Sequence, residues 1–401
     1  MSGRDAVDLL LGLAALFAAL PAGVFLIEMV AAAWNRRPTP TLDGVVRSGS
    51  LAVLMPAHDE AAGIAAAIGA ALAQLGHGDR LLVVADNCSD DTAAVAAAAG
   101  AEIVERRDLA RRGKGYALDH GVRHLEAAPP AVVVVLDADC IVAPEALPRL
   151  AAACMRSGRP VQALYRMDAP AGASLSLRIA AFAWRVKNKL RPLGAAALGA
   201  PVQLMGTGMA FPWPLLRDAR LASGHLVEDL QLGIDLARAG ASPLFLVAAE
   251  VSSTFPSDAA ALRTQRTRWE HGHLSTLGSA GPRLLLHGLR RGEPALAAMA
   301  LDLMVPPLAA LVLVLAMLVV AGGGWWAVDG RSWAFAVALL GLAMVAVGTA
   351  IAWRREGRDL VGAREWLHLP LYVAAKLPMY LRWFGRRQVE WVRTRRDGPG
   401  R

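Results

Sequence analysis

The sequence has 401 residues, of which 55% are hydrophobic, and a formal net charge of +8. This hydrophobic share is high for a soluble globular protein, and it is concentrated near the two ends, at residues 9–27, 303–320 and 333–353. Each of these stretches is long enough to cross a hydrocarbon core of about 30 Å. The basic residues come without a nucleic-acid-binding module, so we expect a membrane-anchored protein whose charge meets anionic lipid headgroups and not nucleic acid.

Basic residues flank the three apolar stretches and predict their orientation. They follow the first stretch, precede the second and follow the third: Arg36 and Arg37; Arg283, Arg290 and Arg291; Arg354, Arg355 and Arg358. Basic residues beside a span remain on the cytoplasmic side, so the large region between the first two spans is expected in the cytoplasm. A signal peptide cleaved at residues 31–33 is the alternative, but its apolar core would exceed the usual length of roughly 7–15 residues.

The region between the first two spans alternates short apolar runs with helical stretches. The first four predicted strands are residues 51–55, 81–85, 102–105 and 132–136, and the helices between them end near residues 75, 100 and 125. Strands that alternate with helices indicate an α/β fold with a doubly wound sheet and one ligand crevice. Beyond them, strands are predicted at residues 163–167 and 244–248, and helices at 174–189 and 259–277.

The fourth run ends in two carboxylates, Asp137 and Asp139. Side chains alternate along a strand, so the two project to the same side, and ligands of open α/β sheets lie at the carboxyl ends of strands. Paired carboxylate oxygens there suit a hard divalent cation that also holds a diphosphate. An Asp-rich turn that merely closes the strand is the alternative.

Polar residues follow the other strands in the same way. Glu60 follows the first strand, Asp86 follows the second, and Lys114 opens the helix after the third. A lysine at a helix N-terminus opposes the helix dipole and therefore favours an anion nearby. Glu60 and Asp86 could instead be loop and cap residues, and Lys114 a solvated residue at the helix start.

Two further motifs lie before the second span. Asp229 follows Glu228 at the start of a predicted helix, where an acidic residue is also favoured by the helix dipole alone. Gln265, Arg268 and Trp269 are spaced at i, i+3 and i+4, so they share one helical face. Trp269 could equally be a packing residue. Upstream, residues 205–208 are glycine-rich, which lets a ligand approach the backbone closely.

The C-terminal part carries the remaining features. Pro306 and Pro307 are expected to kink the second span, and Asp302 near its cytoplasmic end is expected to have a structural or capping role. Residues 366–391 are aromatic and apolar. As a fourth span they would place the arginines of residues 393–396 outside the cell, against the charge rule, so an interfacial helix or helix pair is predicted.

Taken together, these motifs resemble the family 2 glycosyltransferases with a GT-A fold. The likeness is to the membrane-integrated branch that includes cellulose, hyaluronan and chitin synthases and ceramide glucosyltransferases, and it covers residues 51–277 in detail. It implies five domains or segments: an anchor (1–35), a cytoplasmic GT-A domain (48–257), interfacial helices with the Gln-x-x-Arg-Trp motif (258–292), two transmembrane helices (295–355) and an amphipathic interfacial segment with a basic tail (364–401).

The resemblance also implies residue roles. Glu60 and Asp86 would contact the nucleotide base and ribose, and Lys114 would lie near the diphosphate. Asp137 would contact the nucleotide, and Asp139 would bind Mg²⁺ or Mn²⁺ together with it. Asp229 would be the general base. The motif residues Gln265, Arg268 and Trp269 would close over the diphosphate and the acceptor.

The expected activity is metal-dependent, inverting transfer of a sugar from a nucleotide sugar, with UDP-sugars favoured, to a lipid-linked or polysaccharide acceptor in exopolysaccharide or glycolipid synthesis. One alternative is a processive polysaccharide synthase that acts with a partner or as a dimer. Another is a non-catalytic scaffold subunit of a polysaccharide-export complex, although every acidic motif position is filled. A nucleotidyltransferase on the same sheet would leave the Glu-Asp and Gln-x-x-Arg-Trp motifs and the spans unexplained.

Overall fold

The computed structural model describes residues 3–34, 49–224, 227–256, 259–330 and 332–385. Arg36, Arg37 and the predicted basic tail therefore lie outside the described residues. The chain divides into two compact units. We call residues 36–171, 201–269 and 389–401 the sheet unit, and residues 1–35, 172–200 and 270–388 the helical unit.

The sheet unit is built on a mixed sheet, which has eight strands within the described residues. In chain order they are β1 (Leu51–Ala57), β2 (Arg80–Asp86), β3 (Glu102–Arg106), β4 (Val132–Val135), β5 (Ile141–Val142), β6 (Val161–Asp168), β7 (Met209–Pro212) and β8 (Leu244–Thr254). The spatial order is β3-β2-β1-β4-β7-β6-β8-β5. The first four pair in parallel, as the alternation with helices predicts, whereas β7 runs antiparallel to both β4 and β6.

Helices cover the sheet. In the sheet unit they are α2 (Ile64–Leu72), α3 (Thr92–Ala98), α4 (Lys114–Leu125), α5 (Ala146–Ser157), α8 (Trp213–Arg217) and α9 (Glu228–Arg238). Strand β4 and most of β1 are fully buried because their apolar side chains meet helices on both faces. Helix α4 packs closely on β1 and β2 at Gly121, where a β-carbon would lie 2.9 Å from the Val84 side chain. The carboxyl ends of β1, β2 and β4 are thereby held at one edge of the sheet.

The helical unit contains the apolar helices. They are α1 (Gly3–Trp34), α6 (Leu175–Arg185), α7 (Arg191–Ala197), α11 (Gly281–Arg291), α12 (Pro294–Leu303), α13 (Leu308–Asp329), α14 (Trp333–Glu356), α15 (Leu369–Ala374) and α16 (Leu377–Gly385). Of the described helices, α1, α13 and α14 are long and apolar enough to cross a membrane. The predicted count of three spans is therefore confirmed by length and composition.

The second predicted span differs in detail. A single helix kinked at Pro306 and Pro307 was expected, but α12 ends at Leu303 and a separate helix, α13, starts at Leu308. Two successive prolines remove two backbone donors and disfavour helix in the residues before them, so the helix breaks completely. Asp302 consequently lies in α12, outside the spanning helix.

The domain bounds 48–257 remain a prediction, and the two compact units of the structure divide the chain differently. Residues 172–200 belong to the helical unit, because the apolar face of α6 packs into the core of the spanning helices. Ile179 and Phe182 share that core with Phe25 of α1 and Val345 of α14. The predicted helix at residues 174–189 is present as α6 followed by a π-helical turn, Val186–Leu190.

The helix α10 (Ala259–Ser279) joins the two units, since the boundary between them falls after Trp269. After α14, the chain forms a 3₁₀ helix (Ala363–His368) and the short helices α15 and α16. We call residues 363–385 the strap. Its helices of six and nine residues are too short to span a bilayer. The predicted segment continues past residue 385, outside the described residues.

Candidate active site

Asp137 and Asp139 lie just past the end of β4, as predicted. The backbone N–H of Asp137 donates a 3.0 Å hydrogen bond to Oγ1 of the fully buried Thr207. Asp139 accepts a bond from the Ser253 hydroxyl at its Oδ2, 3.3 Å away. Donor atoms of Asp137, Asp139 and Cys140 all lie within 4.8 Å of one another, which makes this group one of two in the described residues that could hold a metal ion.

Lys114 begins α4 and reaches the same group. Its Nζ donates to Asp137 Oδ1 and, over 2.8 Å, to the backbone carbonyl of Gly206. Burial disfavours the charged amine, yet the carboxylates of Asp137, Glu228 and Asp229 outweigh it and raise the pKa of Lys114 above its usual value. A protonated lysine beside the carboxylate pair can bind a phosphate oxygen.

Glu228 and Asp229 lie in the first turn of α9 and also approach Lys114. A β-carbon on Gly206 would lie 3.3 Å from Asp229 Oδ2 and 3.7 Å from Lys114 Nζ, so Asp229 and Lys114 border the same glycine. Gly206 has a φ of +91°, a conformation that favours glycine. Burial, followed by the charge of Asp229, raises the pKa of Glu228 to about 7.

Helix α10 carries the three predicted motif residues, and the structure places them unequally. Burial lowers the pKa of Arg268 below its usual value, although the nearby carboxylates of Glu228 and Asp137 act in the opposite direction. Gln265 is 2% exposed, and its Oε1 has no hydrogen-bond partner among the described residues. Trp269 is half-buried on the same helix. The structure therefore brings Arg268 near the carboxylates of Glu228 and Asp137.

Glu60 follows β1 and Asp86 is the last residue of β2, and these strands lie one and two positions from β4 in the sheet. Asp86 is buried and accepts a 2.6 Å bond from Arg106 Nη1 at its Oδ1. The half-buried Glu60 donates its backbone N–H to Thr92 Oγ1, 2.8 Å away. His58 Nδ1 lies 2.7 Å from the Asp86 carbonyl and links the two loops. The structure thus links the loops that carry Glu60 and Asp86 to each other.

The Asp137 group fits a hard divalent cation by its donor chemistry. Two carboxylates supply the oxygen atoms that Mg²⁺ and Mn²⁺ prefer, and Lys114 supplies a neighbouring positive charge for the anion that such a cation would share. Cys140 is fully buried, and burial raises the pKa of its thiol to about 12. It therefore contributes an uncharged side chain to the group.

Four residues near the site had no functional role predicted from the sequence. Thr207 and the Gly206 carbonyl bind Asp137 and Lys114, and the glycine-rich run was a signal for them. Arg106, at the end of β3, pairs with Asp86 across neighbouring strands. A basic residue at the end of β3, level with the acidic residue at the end of the neighbouring β2, could have indicated this pair. Glu228 was named only as the residue before Asp229, and its nearness to Lys114 could not be predicted from the sequence.

Two solved structures are similar to this chain to different degrees. A mannosyltransferase, PcManGT from Pyrobaculum calidifontis, solved with GDP-Man and Mn²⁺, is 18% identical over 94% of this chain and 100% of its own, with a TM-score of 0.57. Glucosyl-3-phosphoglycerate synthase from Mycobacterium tuberculosis, solved with Mn²⁺ and UDP, is 28% identical over 50% of this chain and 71% of its own, with a TM-score of 0.36. The first of these likenesses confirms the expected GT-A architecture.

The sequence itself identifies the family. No curated protein matches the chain. Residues 48–272, more than half of the chain, match the profile of the family described as Glycosyltransferase like family 2. The chain therefore belongs to the family 2-like glycosyltransferases.

Proposed function

We propose that this glycosyltransferase moves a sugar from a nucleotide sugar to a membrane-associated acceptor, with Asp229 as the general base and Mg²⁺ or Mn²⁺ at Asp137 and Asp139. The observation that carries the proposal is the meeting of opposite charges around Gly206. Lys114 lies between Asp137 and the glycine, and Asp229 borders the same glycine. A cation-binding pair, a phosphate-binding amine and a base are thus within one small region.

Each residue has a distinct task in this reaction. Asp229 takes the proton of the acceptor hydroxyl as its oxygen attacks the anomeric carbon. The bond from that carbon to the diphosphate breaks, and Lys114 and Arg268 neutralise the charge that develops on the departing oxygen. A bound divalent cation would add Lewis-acid stabilisation of the diphosphate. A single displacement of this kind inverts the anomeric configuration.

Further residues would bind the donor and acceptor. We assign Glu60 and Asp86 to the base and ribose because they lie at the ends of β1 and β2, beside the strand that carries Asp137. Arg106 would hold the Asp86 carboxylate in place. Gln265 and Trp269 would close over the diphosphate and the acceptor sugar. The unsatisfied Gln265 Oε1 is an acceptor and would suit a sugar hydroxyl.

Nucleotide binding tests the proposal directly. The purified full-length protein is expected to bind UDP or GDP in the presence of Mn²⁺, as measured by calorimetry, and Asp139→Ala is expected to abolish the dependence on Mn²⁺. Asp229→Asn should retain nucleotide binding but lose sugar transfer, because the amide cannot accept the proton. Failure of both nucleotides to bind, together with an inert Asp139→Ala substitution, would contradict the proposal.

We infer a single transfer to a lipid-linked acceptor over processive polymer synthesis. The described residues hold three helices that could cross a membrane, which is few for a chain that secretes its own polymer without a partner or a second copy. Incubation with a labelled nucleotide sugar and membrane lipids should give one product size. A ladder of products would support the processive synthase instead, and restored polymer production by Asp229→Asn would support a scaffold.

We also infer that the sheet unit faces the cytoplasm of the inner membrane. Arginines lie before α13 and after α14, and the short connection between these helices carries Asp329 at its start. A cysteine introduced at Asp329 should react with an impermeant maleimide in intact cells. The half-buried native Cys88 should react only after the membrane is opened.

A further inference from the structure

Helix α10 is continuous from Ala259 to Ser279. Its first half carries Gln265, Arg268 and Trp269, and its second half begins with Glu270. A residue that fixes the turn after Trp269 also fixes the rotation of Arg268 and Trp269 about the helix axis, because successive residues of an α-helix are related by a constant rotation. The contacts of that turn therefore bear on the site.

The turn after Trp269 is fastened by the strap. Glu270 Oε1 accepts a 2.6 Å bond from Lys376 Nζ, and Glu270 Oε2 accepts a bond from the Tyr380 hydroxyl. The next residue, His271, lies with its Nε2 3.3 Å from the Met379 carbonyl. Three strap residues within five positions, Lys376, Met379 and Tyr380, thus meet two consecutive residues of α10.

The Glu270 contacts are largely shielded from water. The side chains of Glu270 and Lys376 are 15% and 18% exposed, and Tyr380 is 7% exposed overall. Burial and the neighbouring carboxylate raise the pKa of Tyr380 well above its usual value, so its hydroxyl stays protonated and donates to Glu270. A shielded carboxylate with two fixed donors specifies a geometry more strongly than it adds stability.

The other end of the strap is also fixed. Glu365 accepts bonds from both terminal nitrogens of Arg178 on α6, at 3.0 and 2.5 Å. Trp353 of α14 donates from Nε1 to the Val361 carbonyl, 2.7 Å away, and stacks edge-on with Trp366. The strap is therefore anchored to the helical unit before it reaches α10.

We propose that Glu270 is a positioning residue, through which the strap sets the orientation of Arg268 and Trp269 on α10. Lys376 and Tyr380 are its partners in this role. The proposal rests on the proposed function for the task of Arg268 and Trp269, but the fastening of α10 by the strap stands independently of it.

Hydrogen exchange of the full-length protein in detergent or nanodiscs tests the fastening. The two variants are Glu270→Gln and Tyr380→Phe, and the second keeps the ring and deletes only the hydroxyl. In both, the backbone amides of residues 265–279 should exchange at least about tenfold faster than in the wild type. The free energy of local opening falls because roughly one side-chain hydrogen bond to a charged group is lost. Exchange in β1 and β2 should not change.

Glu356→Gln is the matched control. Glu356 forms a 2.7 Å ion pair with Lys189, and both side chains are largely shielded from water, as those of Glu270 and Lys376 are. The pair belongs to the helical unit, and neither residue is part of α10. Its loss should leave α10 exchange at the wild-type rate. Wild-type exchange of α10 in both Glu270→Gln and Tyr380→Phe would overturn the proposal, as would equal acceleration in Glu356→Gln.

Activity supplies the readout that a merely structural residue would not move. Glu270→Gln should lower kcat by about 10- to 100-fold, the range for a displacement of about 1 Å at reacting groups, while the dissociation constant of Mn²⁺ stays unchanged. Lys376→Arg should recover most of the rate that Lys376→Met loses. If the wild type binds no nucleotide, the proposed function fails, and the exchange measurements still decide whether the strap fastens α10.

Discussion

Glu228 and Asp229 are neighbours in sequence, and the carboxyl group of Glu228 keeps its proton up to nearly neutral pH. Burial and the charge of Asp229 raise the pKa of Glu228 from the ordinary value of 4.5 to about 7. Between these two values the native chain binds a proton that the unfolded chain releases. Stability therefore falls as pH rises through this window, and the loss is complete above it.

Replacing Glu228 with Gln should remove this pH dependence. The midpoint of thermal unfolding of Glu228→Gln should stay nearly level from pH 4.5 to 7, whereas that of the wild type declines. Glu102→Gln is the control: hydrogen bonding to Arg80 lowers the pKa of Glu102, so its contribution is lost only as pH falls below 4.5. Parallel curves for Glu228→Gln and the wild type would refute the assignment.

At the scale of single residues, the sequence predicted positions better than partners. Asp137 and Asp139 could be placed because two carboxylates at the end of an apolar run share one side of a strand. The Lys114–Asp137 pair could not, because it joins residues 23 positions apart through the packing of α4 on the sheet. The roles assigned to the predicted site residues remain predictions.

Helix α4 shows how closely an element must approach its neighbours to place Lys114. A β-carbon at Gly115 would collide with the carbonyl of Leu221 and lie 2.7 Å from the carbonyl of Ser223. These are backbone atoms and cannot turn aside. Gly115→Ala should therefore destabilise the protein by about 1–3 kcal/mol, the usual cost of overpacking.

A second helical glycine provides the comparison. A β-carbon at Gly69 of α2 meets nothing within 4 Å, so Gly69→Ala should stabilise by about 0.5–1 kcal/mol through helix propensity. Thermal unfolding of the two variants should shift the midpoint in opposite directions. A stabilised Gly115→Ala variant would mean that α4 does not approach residues 221–223 in this way.

Among the elements, those with a strong period were predictable. Strands β1, β2 and β4 are continuous apolar runs, and their positions were predicted to within two residues. Strand β5 has two residues and was missed, because it exists only through pairing with β8. The π-helical turn after α6 was missed as well, since nothing in residues 186–190 distinguishes it locally from an α-helix.

At the scale of the whole molecule, a buried ion triad joins three distant segments of the helical unit. Arg191 donates from Nε to Glu28 over 2.7 Å and from Nη2 to both the carbonyl and the carboxylate of Asp302. Asp302 was expected to have a structural role, and the structure places it beside Arg191 and Glu28. No sequence pattern predicted this triad, because its members belong to three separate helices.

Removing the shared cation should be severe. Arg191→Met leaves two shielded carboxylates without their partner, which typically costs about 3–5 kcal/mol. Arg4→Met, which breaks the exposed pair with Asp329 in the same unit, should cost no more than about 1 kcal/mol. Thermal unfolding in detergent compares the two, and similar losses would show that the triad contributes no more than a surface pair.

The triad has a consequence for how the chain is made. Glu28 emerges from the ribosome 163 residues before Arg191, and Asp302 follows another 111 residues later. Helix α1 is thus synthesised with the carboxylate of Glu28 before its ion-pair partner Arg191 has been translated. The complete triad can form only once Asp302, just over three quarters of the way along the 401-residue chain, has been synthesised.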